Sequence, residues 1–211
     1  MLYLRREIKH KFLNLTWEDV EKLSHILCDK MVKENYMPDI IVAVMRGGWV
    51  PARIILDMLK ISGLAAIEIK FYKGIGEARE RPILTQPLVV SVRDKKVLII
   101  DDVVDTGKSL SVAVETLKLY GPSQIKTAAL VVKPWSIVMP DYYALKSDAW
   151  VIFPWELRET VEELVNTLEI DLNKYDLSEV AQYISEKTGL KKDLVLKTLM
   201  FIKKHKVKEK T

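Results

Sequence analysis

The stretch Val97-Leu98-Ile99-Ile100-Asp101-Asp102-Val103-Val104-Asp105-Thr106-Gly107-Lys108-Ser109-Leu110 constrains this chain more than any other. Four consecutive apolar residues, three of them β-branched, predict a buried strand. The amphipathic run Leu110 to Tyr120 predicts a helix. Between them lies a short turn of small and hydroxyl-bearing residues. Such a turn at a helix start presents backbone N–H groups and the positive end of the helix dipole, which suits a phosphate group. Asp101 and Asp102 would repel that same phosphate, so they are expected to face a sugar diol, a divalent cation, or both. The residues therefore imply a ligand with a phosphate at one end and a diol or metal next to it. A P-loop is the main competing reading, but its glycine-flanked spacing is absent, because only Gly107 precedes Lys108.

A length of 211 residues suggests one domain, or one plus a small appendage, and 49% hydrophobic residues permit a substantial core. No apolar run approaches the ~20 residues a membrane span needs, and Met1 to Lys11 is too charged for a signal peptide. A soluble, cytoplasmic protein is expected. The single cysteine, Cys28, sits in a helical pattern and reads as packing rather than chemistry. The net charge of +4 resides in the tail, where nine Lys face five Asp plus Glu from Asp176 to Thr211, with no Arg. That composition reads as a solvated lysine-rich face in preference to a nucleic-acid surface.

In chain order, Thr16 is a candidate N-cap for a helix whose apolar face is Val20, Leu23, Ile26, Leu27 and Met31. Ile40 to Val44 predicts a buried strand. It is followed by Met45-Arg46-Gly47-Gly48-Trp49-Val50-Pro51 and a helix through Leu59. Paired glycines let a backbone approach an anion closely, and Arg46 adds a permanent positive charge. Ala65 to Tyr72 reads as the next strand. Lys73 to Asp94 is polar and irregular, with Gly74, Gly76, Pro82 and Pro87 separating Lys73, Arg79, Arg81 and Arg93, and a connection of that length is usually functional or disordered. Ile125 to Val132 predicts a strand ending at Lys133-Pro134-Trp135, and Asp148 to Trp155 follows after an irregular loop. From Glu156 onward three helical faces recur: Val161, Leu164, Val165 and Leu168; Val180, Tyr183 and Ile184; and Leu194, Leu196, Leu199, Met200 and Ile202. Asp176 or Ser178 is the expected cap of the second helix and Gly189 its end.

The Val97 to Leu110 segment resembles the phosphoribosyl-pyrophosphate (PRPP) motif of the type I phosphoribosyltransferases, and the likeness covers roughly residues 15–155. The resemblance implies an α/β fold of the type I class, with about five strands in a mainly parallel sheet flanked by helices and a C-terminal helical bundle. Residues 1–155 are expected to form the core with a base-binding hood, and 156–211 a helical extension. Arg46-Gly47-Gly48 is similar to the pyrophosphate loop of the 6-oxopurine branch, which implies a non-proline cis peptide between Met45 and Arg46. The same likeness makes Lys73 to Asp94 a lid over PRPP. The Ser-Tyr pair often found at the lid's base appears here as Phe71-Tyr72, so only Tyr72 carries over. Lys133 and Trp150 occupy the places of base-holding residues. Trp150 would stack on a purine, with the backbone of Val151 and Ile152 supplying in-plane groups; Trp135 or Phe153 are the alternative stacking residues.

What the resemblance implies chemically is transfer of 5-phosphoribosyl from PRPP to a purine base, giving a nucleotide monophosphate and pyrophosphate with magnesium (Mg2+). Arg46 and Gly47 would serve the leaving pyrophosphate. Asp101 and Asp102 would hold the ribose hydroxyls and help place the metal, and Thr106, Gly107, Lys108 and Ser109 would fix the 5-phosphate. Asp105 would accept a proton at the base's imidazole edge. The motif residues favour a 6-oxopurine (hypoxanthine, guanine or xanthine), with Lys133 meeting the oxygen at position 6. The chain as a whole resembles the archaeal adenine phosphoribosyltransferases, and on that likeness adenine, giving AMP, is the expected base and the 6-oxopurines the alternative. A PRPP-sensing nucleic-acid-binding regulator and an orotate transferase are weaker readings. A homodimer is expected from the family.

Overall fold

Strand and helix boundaries follow the apolar patterning closely in the computed structural model, which describes residues 10–72 and 81–208. In chain order these are β1 (Phe12–Asn14), α1 (Trp17–Lys33), β2 (Ile40–Met45), α2 (Trp49–Met58), β3 (Gly63–Tyr72), β4 (Arg81–Gln86), β5 (Lys96–Val104), α3 (Lys108–Lys118), β6 (Gln124–Val132), β7 (Tyr142–Lys146), β8 (Trp150–Ile152), a 3₁₀ turn (Pro154–Glu156), α4 (Leu157–Thr167), α5 (Leu177–Thr188) and α6 (Lys192–Lys208). The chain divides into two compact units, one of Glu18–Ser147 and one that joins Met1–Trp17 to Asp148–Thr211. Among the described residues no helix is long and apolar enough to cross a membrane.

The larger unit holds a six-stranded sheet in the order β4-β3-β2-β5-β6-β7. All neighbours are parallel except the edge pair β3–β4. Val97 to Ile100 of β5 and Ala128 to Val132 of β6 are fully enclosed. That burial explains why these strands read as continuous apolar runs: a parallel sheet covered on both faces has no solvent side to alternate toward. Leu110, Ala113 and Leu117 of α3 pack on this core, each large aliphatic contributing roughly 1.5–3 kcal/mol. At the far end of the sheet, Lys126 bonds both Glu34 (2.7 Å) and the Tyr142 hydroxyl (2.7 Å). These bonds lower the Glu34 carboxyl and raise Lys126. Cys28 is buried in α1, and burial pushes its thiol up to about 11, as a packing residue should be.

Several expectations change. The strand expected at Val97 to Ile100 runs on to Val104, so Asp101 and Asp102 belong to β5 itself. Residues expected to be irregular form β7, and Arg81–Gln86, inside the expected lid, form β4. β4 is a solvent-facing edge strand carrying Pro82, which masks it in sequence because proline is tolerated only at such an edge. Lys73, Gly74, Gly76 and Arg79 of the expected lid lie outside the described residues. α2 and α3 each follow a strand of the parallel sheet, and β4 pairs antiparallel with β3 at its edge. On α1, Ile26 faces solvent and Ser24 and Cys28 take the buried face.

In the second unit, β1 and β8 form a parallel two-stranded ladder, Phe12 opposite Trp150 and Asn14 opposite Ile152. Ile152, Val161, Leu164, Val165, Val180, Ile184, Val195 and Leu199 belong to its own core. Leu194 and Met200, expected on the buried face of α6, point outward, and Val195 replaces them. Asp176 caps α5, its Oδ1 accepting from Ser178 N (2.8 Å) and Glu179 N (3.1 Å), and Gly189 ends the helix in a left-handed conformation.

Candidate functional site

The strand order reverses direction between β2 and β5, so the turns that leave their carboxyl ends border the crevice where open α/β sheets bind ligands. β2 leads into Met45–Arg46, which is a cis peptide, as the resemblance implied. The two glycines that follow are required by closeness. A β-carbon on Gly47 would overlap the Asp102 carboxylate, and one on Gly48 would overlap the Ile100 carbonyl oxygen and stand 3.0 Å from Asp101 Cα. The Arg46-Gly47-Gly48 turn thus rests directly on the end of β5. Glu68, paired with Met45 across β2 and β3, has its carboxyl held below the ordinary range. The Thr85 hydroxyl (2.7 Å) is the first cause and Lys70 (3.1 Å) the second, with the positive field of Arg46 adding to them.

Alternation along β5 separates the two carboxylates expected to act together. Asp101 faces a cavity; Asp102 is buried against Gly47, its Oδ1 accepting from Val103 N (2.8 Å). The cavity has a volume of about 540 Å³ and is lined by Phe71, Asp101, Val103, Val104, Asp105, Thr106, Gly107, Lys108, Ser109 and Leu110. Its floor is the start of α3. Gly107 is the N-cap, with no side-chain cap and no acidic residue in the first turn. Lys108 N donates to the Thr106 hydroxyl (3.4 Å), and the N–H groups that follow it have the helix dipole behind them, a fit for an anion. Gly107 is left-handed (φ 82°), and a β-carbon there would come within 2.8 Å of Ser136 Oγ and 2.9 Å of Val138 N.

The segment after β6 is tied alongside this loop. Lys133 N donates to the Val104 carbonyl (2.9 Å) and Ile137 N to the Thr106 carbonyl (3.2 Å). Lys133 is buried, with its ammonium 5.6 Å from the centre of the Trp135 ring, and the Trp135 indole N–H donates to Asp105 Oδ1 (2.7 Å). Sequence reasoning placed Trp135 only as an alternative stacking residue and missed this bond.

Residues 16–161 match the family model described as "Phosphoribosyl transferase domain". The chain belongs to this family. It is similar to the xanthine-guanine phosphoribosyltransferase of Ruegeria sp. (strain TM1040), 31% identical over 159 residues, covering 70% of this chain and 86% of that protein. It is also similar to xanthine phosphoribosyltransferase 1 of Saccharomyces cerevisiae, at 29% identity, covering 71% of this chain and 91% of the relative. Among solved structures, a purine phosphoribosyltransferase from Pyrococcus horikoshii superposes with a TM-score of 0.63 at 40% identity, covering 69% of this chain and 93% of that one.

As a phosphoribosyltransferase-family chain it departs from expectation in three places. The lid-base residue on the cavity wall is Phe71 rather than Tyr72. Phe153 is buried and stacks on Trp155 at 4.8 Å, so it is a core residue rather than a stacking surface for a ligand. Trp150, Val151 and Ile152 form β8 in the second unit; Trp150 is about half exposed and the other two are buried. Trp150 N donates to the Lys11 carbonyl (2.8 Å) and the Ile152 carbonyl accepts from Leu15 N (2.9 Å), so ladder alternation turns the Val151 main-chain groups away from β1.

No cluster of three or more metal-ligating side chains occurs among the described residues. Asp101, the one of the two carboxylates that faces the cavity, is a hard oxygen donor of the kind that fits magnesium, which keeps several waters and takes much of its coordination from substrate oxygens.

Proposed function

We propose that this chain transfers the 5-phosphoribosyl group of PRPP to a 6-oxopurine, with xanthine and guanine foremost, releasing pyrophosphate. The observation that carries the reading is that Asp101, Asp105 and the start of α3 line one cavity. It offers carboxylates for a sugar and a proton beside an anion cradle for a phosphate. One named relative is a xanthine-guanine and the other a xanthine phosphoribosyltransferase, which supports the oxopurine alternative over adenine. The buried ammonium of Lys133 supports it too, since an ammonium can only donate, and the oxygen at position 6 accepts where an adenine amino group would not.

In this reading the α3 turn, with Thr106, Gly107, Lys108 and Ser109, holds the 5-phosphate through backbone N–H groups and fixes one end of the substrate. Asp101 binds ribose hydroxyls from the cavity wall. The bond between C1 and the pyrophosphate oxygen breaks, its electron pair leaving with pyrophosphate, as the bond from C1 to the purine nitrogen forms. Arg46 and the Gly47 backbone meet the charge that develops on the leaving group. The proton lost from the purine imidazole edge passes to the Asp105 carboxylate. Magnesium, held on the protein side by Asp101, would neutralise part of the pyrophosphate charge. Lys133, bonded through its N–H to the Val104 carbonyl beside the cavity loop, is the proposed contact to the base.

The test offers xanthine, guanine, hypoxanthine and adenine separately with PRPP and magnesium and measures nucleotide and pyrophosphate. Turnover of the oxo bases with adenine inert is the expected result. Turnover of adenine alone would return the reading to adenine, and no turnover with any base would overturn the transferase assignment.

A further inference from the structure

We infer that Trp135 is a positioning residue for the Asp105 carboxylate, a role that rests on the reading of Asp105 as the proton acceptor. Asp105 stands just past the end of β5, where a short side chain has no strand pairing to orient it. The Trp135 indole supplies the orientation through its 2.7 Å bond to Oδ1. With one oxygen engaged by a donor, Oδ2 is the oxygen left to take the proton.

Three further observations fit that role. First, the indole is presented by a segment bonded to the Asp105 loop on both sides, Lys133 N to the Val104 carbonyl and Ile137 N to the Thr106 carbonyl. The two residues therefore move as one piece. Second, Trp135 is 54% exposed, so burial does not account for so large an apolar side chain at this place. Third, the Lys133 ammonium lies 5.6 Å from the ring centre, against its negative quadrupole, which holds the indole plane. An indole N–H donating to a carboxylate is a charge-assisted bond and so among the stronger side-chain contacts available. The role differs from stacking: the ring's edge does the work, through its N–H, and not its face.

The experiment compares the wild type with Trp135→Phe, Trp135→His and Asp105→Asn in steady-state turnover of PRPP with guanine and with 8-azaguanine, whose ring N–H is more acidic. Trp135→Phe keeps an aromatic face and deletes the donor. It is expected to lower kcat for guanine about tenfold, with KM for PRPP and base within about twofold, because the bond is made to a reacting group and not to either substrate. Trp135→His carries Nε2 where the indole carries its nitrogen within the five-membered ring, and is expected to recover most of that loss. With 8-azaguanine the Trp135→Phe deficit should shrink, since a more acidic base relies less on a well-placed acceptor.

Wild-type kcat in Trp135→Phe together with lost turnover in Asp105→Asn would overturn the positioning role and leave the proton acceptor standing. Full turnover in Asp105→Asn would overturn the acceptor and the positioning role with it. A Trp135→Phe enzyme whose KM for the base rises at unchanged kcat, or whose deficit is the same for both bases, would also refute it, assigning Trp135 to base binding in the first case and to structure in the second.

Discussion

Replacing Gly107 by alanine measures how tightly the loop proposed to hold the 5-phosphate is built. Two costs act at this one residue. Its φ of 82° is left-handed, where an L side chain is disfavoured by about 1–2 kcal/mol. The new methyl would also stand 2.8 Å from Ser136 Oγ, 2.9 Å from Val138 N and 3.0 Å from Val138 Cβ. Relief requires moving backbone that is pinned by the Ile137 N–Thr106 O bond (3.2 Å) and by the Ser136 hydroxyl donating to the Val138 carbonyl (2.7 Å). Crowding of that kind costs about 1–3 kcal/mol. Gly121 separates the two terms: it has nearly the same φ, 70°, and lies in the same unit, but its nearest neighbour for a β-carbon is Arg93 Cγ at 4.0 Å. Gly121→Ala is therefore expected to lose only the strain, and Gly107→Ala to lose about 1–3 kcal/mol more. Urea unfolding read by circular dichroism and by tryptophan fluorescence gives both values. KM for PRPP should rise in Gly107→Ala alone. Equal destabilisation of the two variants would refute the argument that the 136–138 backbone closes against the loop.

Other expectations test separate parts of the molecule. Asp176→Ala removes both bonds that cap α5 and should cost about 1 kcal/mol of stability while leaving kcat unchanged; a loss of turnover at full stability would contradict a purely capping role. Burial raises the Cys28 thiol from 9.0 to about 11 and raises the Tyr36 hydroxyl as well, so the folded chain keeps protons that the unfolded chain releases. Stability should be at its full value below pH 9.0 and fall as pH climbs toward 11, and Cys28→Ala should flatten that fall in urea midpoints measured across the range. Lys133→Met should lower kcat/KM for xanthine and guanine by roughly 10- to 100-fold, the range for a lost bond to a charged donor. An unchanged value would separate Lys133 from base recognition.

How far this molecule was legible beforehand depended on where each signal resides. β2, β5 and β6 could be read because two covered faces leave an unbroken apolar run, and the phosphate loop because carboxylates, a glycine and a helix start are adjacent in the chain. β4 and β7 are the edge strands of the sheet, six and five residues long, too short to show a period of their own. The three-residue ladder of β1 with β8 joins residues far apart in sequence, which no local pattern reports. The same limit governs the site. Gly47 and Asp102, or Asp105 and Trp135, meet only after the sheet has brought separate turns to one edge. Where the adjacent pair Asp101 and Asp102 point could not be read beforehand either, because strand alternation sends neighbouring side chains to opposite faces once the strand extends past Ile100. The proposed choice of base weighs two kinds of clue against each other. Lys133 pointed to an oxopurine while the outline of the whole chain pointed to adenine, and the named relatives side with Lys133. That order is physically sensible. A donor at the edge of a purine discriminates between an oxygen and an amino group, whereas chain length and a helical extension exert no force on the ring at all.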